Sequence, residues 1–322
     1  MVDIVIPAYN AHDTINRCLA SIASQTLIDE INVIIVNDAS DKDYSDSIKI
    51  FKSLMNVKEV TLKENGGPGV ARREGMRNCN SEYIMFVDAD DTLCNAYSVR
   101  DLLNAITSTN ADCINSTFYE EMDNGEHYKH EDDMVWVFGK IYRRAFLDGY
   151  HIEFNDTRAN EDNGFNTVIC LLSENVKTMS GVVTYYWHWN KNSITRNNDY
   201  AYNGMEGFIN NQIWAYDKVM QYPTVVKKRK DIIMDRFVRV FIQLYVYYVE
   251  FAVTRDSTLD YLLSCQKYYN EVFSKIEPEL TQEYFNQCYT NVVTGNDIMT
   301  NYIPVCTIYQ FIETLRREIK ID

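Results

Sequence analysis

Residues 83–92 read Tyr-Ile-Met-Phe-Val-Asp-Ala-Asp-Asp-Thr, an apolar run that passes directly into Asp88, Asp90 and Asp91. Ile84, Met85, Phe86 and Val87 show no polar alternation, which is the pattern of a strand covered on both faces in a parallel sheet flanked by helices. Ligands of such sheets lie outside the carboxyl ends of the strands. Three carboxylates crowded at that place repel one another, so they either share protons or face a cation. An all-oxygen set suits a hard divalent ion, Mn²⁺ or Mg²⁺, which in turn can hold a diphosphate. The same residues also read as an acidic loop ahead of the next helix, and the stretch alone does not choose between the two.

Upstream, the chain alternates strand and helix. Residues 2–6 form a strand ended by Pro7, and Asp13 opens a helix with Ile15, Cys18, Leu19 and Ile22 on one face. Residues 31–36 form the next strand and stop at Asn37-Asp38-Ala39-Ser40, before a helix over 45–55. Residues 57–62 form the third, followed by Asn65-Gly66-Gly67-Pro68-Gly69 and a helix that carries Arg72, Arg73 and Arg77. This order predicts an α/β fold with a mostly parallel sheet and right-handed crossovers. It brings Pro7, Ala8, Tyr9, Asn10, Asp38, Asn65, Gly66 and the acidic run to one rim. The glycine-rich loop is neither a Walker sequence nor G-x-G-x-x-G, so its weight comes from its company.

Ile4-Val5-Ile6-Pro7-Ala8-Tyr9-Asn10, Val36-Asn37-Asp38-Ala39-Ser40, residues 65–72 and residues 87–91 together resemble the opening of the family 2 glycosyltransferases, which have the GT-A fold. The resemblance runs over residues 1–190. It implies an inverting transferase that uses a nucleotide-diphosphate sugar, with Asp38 and Arg72 near the nucleobase. Pro7 to Asn10, Asn65, Gly66, Asp88, Ala89 and Asp90 then surround the nucleotide, and Asp90 and Asp91 serve the ribose and the metal. Two departures stand out: Asn37-Asp38-Ala39-Ser40 where the family usually shows Asp-Asp-Gly-Ser, and Arg73 where many members have Asn. The residue chemistry agrees with a UDP-sugar donor, because Asp38 can accept from an imide N–H and Arg72 can donate to a base carbonyl. Arg72 also reads as part of a solvated basic helix face with Arg73 and Arg77.

In the middle of the chain, residues 111–117 read as a strand and residues 119–133 as an acidic surface loop with solvated carboxylates. Residues 135–144 resemble the family's strand and short helix ahead of the acceptor site. Glu161 and Asp162 then open a helix continued by Val168, Ile169, Leu171 and Leu172. An acidic pair there gains from the helix dipole without any chemistry. By resemblance, however, Asp162 is the base that deprotonates the acceptor hydroxyl, and Glu161 orients it or binds acceptor hydroxyls. Single displacement requires such a base opposite the leaving group. Residues 182–189 form an aromatic strand in which Trp187 or Trp189 can stack on a sugar, while His188 is either a third metal ligand or a structural histidine. Lys191, Ser193 and Arg196 follow in a loop over 190–196 that either closes over the diphosphate or is an ordinary polar loop.

Beyond residue 200 the pattern is helical, which suggests a catalytic domain over 1–198 and an α-helical C-terminal subdomain over 199–322 with four or five helices. Its tyrosines suit acceptor binding or a homo-oligomer contact, although a buried tyrosine needs only a hydrogen-bond partner. The apolar run 237–253 is broken by Arg239, Gln243 and Glu250, and so reads as a buried helix rather than a membrane span. A basic cluster over 226–230 permits peripheral membrane contact, where a lipid-linked acceptor would lie; a solvated helix start is the plainer reading.

With 322 residues and 46% hydrophobic content, the chain can bury a large core. Its net charge of -15, from 46 acidic against 31 basic residues, weighs against nucleic acid as a partner. Eight cysteines without a Cys-x-x-Cys pair read as reduced core thiols, and the absence of a secretory leader points to a cytoplasmic protein. The acceptor is open among a glycan, a lipid carrier, a protein side chain and a modified nucleic-acid base. A nucleotidyltransferase and a non-catalytic sugar-nucleotide binder are the readings of another class. The first would carry a glycine-rich basic loop after its first strand, and the second need not keep both the acidic run and Asp162.

Overall fold

The structure, a computed structural model, describes residues 1–191, 193, 196, 200–317 and 319. The chain divides into two compact units, Met1–Asn197 and Asn198–Asp322.

In the first unit, β1 (Val2–Ala8), β2 (Ile31–Asn37), β3 (Asn56–Thr61) and β4 (Tyr83–Phe86) are parallel, in the order β3-β2-β1-β4. β5 (Thr92–Leu93), β6 (Cys113–Glu121), β7 (His127–His130), β8 (Lys140–Arg143) and β9 (Val176–Trp187) extend the sheet as β4-β8-β6-β9-β5, with β7 on β6. β8 runs antiparallel to both β4 and β6, while β9 is parallel to β6 with a bulge near Ser116 and Thr117.

Side-chain alternation sends the strands' residues to two helical layers. Ile4, Ile6, Val33, Ile35, Met85 and Val87 join Cys18, Leu19 and Ile22 of α1 (Ile15–Ala23), Phe51 of α2 (Ser45–Phe51), and Val99, Leu102 and Ile106 of α4 (Ser98–Thr109). Between α2 and α4 in the chain, α3 (Pro68–Arg77) lies on the other face, where Gly75 sits against Val5 and Val36. The same face carries α5 (Arg144–Gly149) and α6 (Glu161–Leu172) beyond it in sequence. There Phe86 meets Phe154 edge-on at 5.1 Å, and Phe154 stacks on Phe165 of α6 at 4.1 Å. These aromatic contacts dock α6 against the end of β4.

The acidic stretch read as a surface loop is instead a hairpin, in which residues 118–121 of β6 pair with residues 127–130 of β7. Its carboxylates are not merely solvated: Glu120 accepts from Arg196 and lies 2.7 Å from His130, and Glu121 accepts from the Trp189 amide. Polar composition suggested a loop because the partners that satisfy these groups lie far away in sequence.

The second unit contains α7 (Tyr200–Asn203), α8 (Met205–Met220), α9 (Pro223–Lys228), α10 (Lys230–Thr254), α11 (Leu259–Tyr268), α12 (Ser274–Ile276), α13 (Gln282–Val293), α14 (Asp297–Asn301) and α15 (Ile308–Arg316). This is more segments than the four or five expected, because short turns and a π-turn over residues 269–273 interrupt the longer helical patterns. Among the described residues α10 is the one helix long and apolar enough to cross a membrane, and 56% of that window is buried within the protein. Its Phe241 stacks on Phe273 at 3.8 Å. Tyr245, Tyr261 and Tyr268 donate to the carbonyls of Cys306, Leu244 and Phe237, which satisfies their hydroxyls inside the unit. In the basic cluster, Lys230 pairs with Glu279, while Lys227 and Lys228 are exposed.

A Cβ on Gly75 would stand 2.2 Å from Cγ1 of Val5, in a strand that cannot yield. Gly75→Ala should therefore destabilise the first unit by ~1–3 kcal/mol through overpacking, despite the better helix propensity of alanine. Chemical denaturation measures this, and an unchanged or raised midpoint would show that α3 does not pack so closely.

Candidate active site

Four strand ends and the start of α6 build the site. β1 ends at Pro7 and Ala8, and the Ala8 carbonyl accepts from the Asp38 amide at 2.9 Å. Tyr9 follows, 55% exposed, on the open rim. Asn10 adopts a positive φ of 49° and donates its amide to Oγ of Ser40 at 2.9 Å, which fixes the β1 turn to the β2 turn. Asp38 is buried, and its two carboxylate oxygens accept from the amides of Gly66 at 2.7 Å and Gly67 at 2.8 Å. The glycine-rich loop is thus tied down by a carboxylate at its centre. Asn65 donates to the Asp38 carbonyl, while the Arg158 guanidinium donates to both the side chain and the carbonyl of Asn65.

Arg72 departs from the expectation that it faces a nucleobase. It is 4% exposed and bridges two acids: Nη2 donates to Asp88 at 2.7 Å and Nη1 to Glu161 at 2.5 Å. Burial alone would favour its neutral form, but Asp88 and Glu161 outweigh that and hold it firmly cationic. Gly69 makes this approach feasible, since a Cβ there would lie 2.9 Å from the Asn155 carbonyl and 3.1 Å from Cγ of Glu161.

The acidic run divides into three environments. Asp88 keeps a partly exposed side chain. Asp90 accepts from the Asn190 side chain at 2.7 Å, while its carbonyl accepts from Arg17. Asp91 is buried and accepts from the Tyr185 hydroxyl at 2.7 Å and the His188 amide at 2.9 Å. Ala89 between them is buried. Burial raises the proton affinity of Asp90, aided by the nearby charge of Asp88. Burial raises Asp91 further, with the charges of Asp90 and Asp88 added. The cluster is short of positive charge, which is the condition that a bound cation relieves.

Among the described residues no group of three or more His, Cys, Asp or Glu side chains is arranged to hold a metal ion. The set Asp90, Asp91 and His188 is therefore not gathered as a cage. The His188 ring lies 2.9 Å from the Thr92 hydroxyl and 3.3 Å from Glu121, and both Asp91 oxygens are engaged by the protein. Asp88, partly exposed, and Asp90, which accepts from Asn190, are the carboxylates of the run that could face a hard divalent ion.

Opposite stands the acidic pair of α6, preceded by Asn160 at a positive φ of 60°. Glu161 and Asp162 are both buried in the first turn. Burial raises Glu161, against the pull of Arg72. Asp162 is raised to about 8 by burial and then by the charge of Glu161, with Arg72 opposing. A carboxyl poised near neutrality is suited to proton transfer.

The aromatic strand end differs from the expected sugar platform. The Arg196 guanidinium lies 4.5 Å from the Trp187 ring and 4.7 Å from the Trp189 ring, and it pairs with Glu120 at 2.5 Å. Arg196 is therefore committed to the protein rather than to a diphosphate. Lys191 is exposed, and the Ser193 amide donates to the Asn190 carbonyl. Asn192, Ile194 and Thr195 of the same loop lie outside the described residues. Tyr185, Arg158, Arg17 and Asn190 did not emerge from sequence as site residues. Tyr185 was legible only as part of an aromatic run, and sheet register carries it to the acidic cluster.

Residues 3–160 match the family described as glycosyl transferase family 2. The match covers most of the first unit and none of the second. EpsJ of Bacillus subtilis (strain 168), an uncharacterized glycosyltransferase, is 27% identical over 219 residues, covering 61% of this chain and 63% of EpsJ. The poly(ribitol-phosphate) beta-N-acetylglucosaminyltransferase TarS of Staphylococcus aureus (strain Mu50) is 26% identical over 199 residues, covering 57% of this chain and 35% of TarS. Each match spans less than two thirds of the relative's length. The crystal structure of S. aureus TarS 1-349 in complex with UDP superposes with a TM-score of 0.69 at 18% identity, over 98% of this chain and 91% of that one. The mannosyltransferase PcManGT of Pyrobaculum calidifontis, in complex with GDP-Man and Mn²⁺, superposes with a TM-score of 0.51 at 11% identity, over 98% of this chain and 84% of that one. The protein accordingly has the GT-A fold, with a helical C-terminal region.

The Tyr185 hydroxyl donates to Asp91 and accepts from the Asp88 amide at 3.1 Å, so it joins two parts of the acidic run. Tyr185→Phe should destabilise the first unit by ~1–3 kcal/mol, because a buried carboxylate and a backbone amide both lose a partner. A denaturation midpoint equal to wild type would show that neither group depends on that hydroxyl.

Proposed function

We propose that the protein is a family 2 glycosyltransferase that moves a sugar from a UDP-sugar to an acceptor hydroxyl by single displacement with inversion at the anomeric carbon. The observation that carries this reading is the bridge from Asp88 through Arg72 to Glu161, which places the donor-side acids and the Glu161–Asp162 pair on one rim of the sheet. The donor side stabilises a departing diphosphate, and the α6 side takes a proton from the acceptor.

On the donor side, Tyr9 offers an exposed ring for stacking on the base, and the Pro7 to Asn10 turn with Asp38, Asn65 and Gly66 frames the nucleoside. A carboxylate has four acceptor sites, so Asp38 can receive an imide N–H in addition to its two loop amides. We assign Mn²⁺ or Mg²⁺ to Asp88 and Asp90, where it would supply charge stabilisation to the leaving diphosphate. Asp91 and His188 hold that segment in place instead. Lys191 on the rim is an exposed cation within reach of anionic substrate through its neighbour Asn190, which binds Asp90. The complexes of UDP with TarS and of Mn²⁺ with PcManGT support this choice of donor and ion. The activity of TarS on poly(ribitol-phosphate) supports a surface-glycan acceptor of the polyol-phosphate kind.

On the acceptor side, Asp162 is the base and Glu161 orients it. Only ionised Asp162 can accept the proton, and its raised affinity leaves it mostly protonated below a pH of about 8. The rate at subsaturating acceptor should therefore climb about tenfold per pH unit up to that value and then level off. A profile already flat at pH 6 would remove Asp162 from this role. Asp162→Asn should lower turnover by ~10²- to 10⁴-fold while leaving UDP affinity in place. Near-normal transfer by that variant, or a product of retained configuration by NMR, would overturn the mechanism.

A further inference from the structure

The guanidinium of Arg72 is divided between two carboxylates instead of gripping one. A bidentate fork on a single carboxylate is the stronger static pair. Here Nη2 meets one oxygen of Asp88 at 2.7 Å and Nη1 one oxygen of Glu161 at 2.5 Å, while Nε is buried with no hydrogen-bond partner. The Phe154 ring lies 5.8 Å from Cζ and covers the guanidinium on one side. The two acids differ in access: the Asp88 side chain is 27% exposed and the Glu161 side chain 6%. One buried positive charge is thus shared by an acid that faces the donor side and an acid adjacent in sequence to Asp162.

Contact between α3 and α6 leaves no slack for this arrangement to be absorbed, because Gly69 lies directly against Asn155 and Glu161. We infer that Arg72 is a positioning residue that couples the two halves of the site. When positive charge is supplied to Asp88 from the donor side, Asp88 loosens its hold on the guanidinium, and Arg72 tightens on Glu161. The first turn of α6, with Asp162, is then held more rigidly in the place it already occupies against α3. The acceptor base is thereby set in its working position only when the donor is in place. Coupling free energies are reciprocal. Loss of the Glu161 charge must therefore leave Arg72 wholly to Asp88 and weaken cation binding on the donor side. This inference rests on the assignment of Asp88 and Asp90 as the cation's ligands.

The test measures Mn²⁺ affinity by electron paramagnetic resonance, with and without UDP, for the wild type, Glu161→Gln, Arg72→Lys and the double variant. Glu161→Gln should lower Mn²⁺ affinity roughly 5- to 50-fold, although Glu161 lies on the acceptor side. A lysine cannot span both acids, so in the Arg72→Lys background the same change should have little effect. Circular dichroism and thermal unfolding establish that each variant is folded, and Glu161→Gln alone decides the matter if Arg72→Lys is not. A purely structural clamp would lower the melting temperature and leave Mn²⁺ affinity unmoved. That result in a wild type that binds Mn²⁺ overturns the coupling and spares the proposed function. A wild type that binds neither Mn²⁺ nor UDP overturns both.

Discussion

Carboxylates packed at the end of an apolar strand repel one another in a medium that solvates them poorly, and the first unit is arranged around the relief of that repulsion. Arg72 provides one buried positive charge, held between Asp88 and Glu161. Tyr185 and the His188 amide supply donors to Asp91, and Asn190 supplies one to Asp90. These groups come from α3 and from β9 with the segment that follows it, so the acidic run, with Glu161 of α6 on the far side of Arg72, ties α3, α6 and β9 to the end of β4. The neutralisation is incomplete, as the raised proton affinities of Asp90 and Asp91 indicate. A site that remains short of positive charge is suited to a cation and a polyanionic substrate together.

The loops obey the same logic with backbone donors. Asp38 satisfies two amides of the glycine-rich turn, and Arg158 closes that turn from the segment before α6. The turn is consequently shaped before any nucleotide arrives, which limits the ordering cost of binding. The aromatic strand end is stabilised differently: Arg196 lies against Trp187 and Trp189 while pairing with Glu120, so rings that would suit a sugar face are covered by the protein's own cation.

Much of this was legible in order and spacing. Apolar runs at 33–36 and 84–87, followed by Asp38 and Asp88, pointed to strands buried on both faces and put their ends on one rim. Legibility failed where a polar group's partner lay far along the chain. Residues 119–133 looked like a solvated loop because Arg196, His188 and the Trp189 amide, which occupy Glu120 and Glu121, come some seventy positions later. Arg72 looked like a nucleotide contact because nothing local shows that Glu161 arrives beside it.

The sequence by itself determined the strand–helix alternation, the rim on which the acids gather and the identity of the residue types that can do transfer chemistry there, since periodicity and chain connectivity depend only on local order. Tertiary structure alone decided how those residues are shared out. It committed Asp91 to Tyr185 and His188 and left Asp88 partly exposed beside Arg72. It also bound Arg72 to Glu161 and raised Asp162 to about 8. The reason is physical: burial and through-space charge set proton affinities and ion pairs, and both are fixed by which elements pack together rather than by which residues are neighbours in the chain.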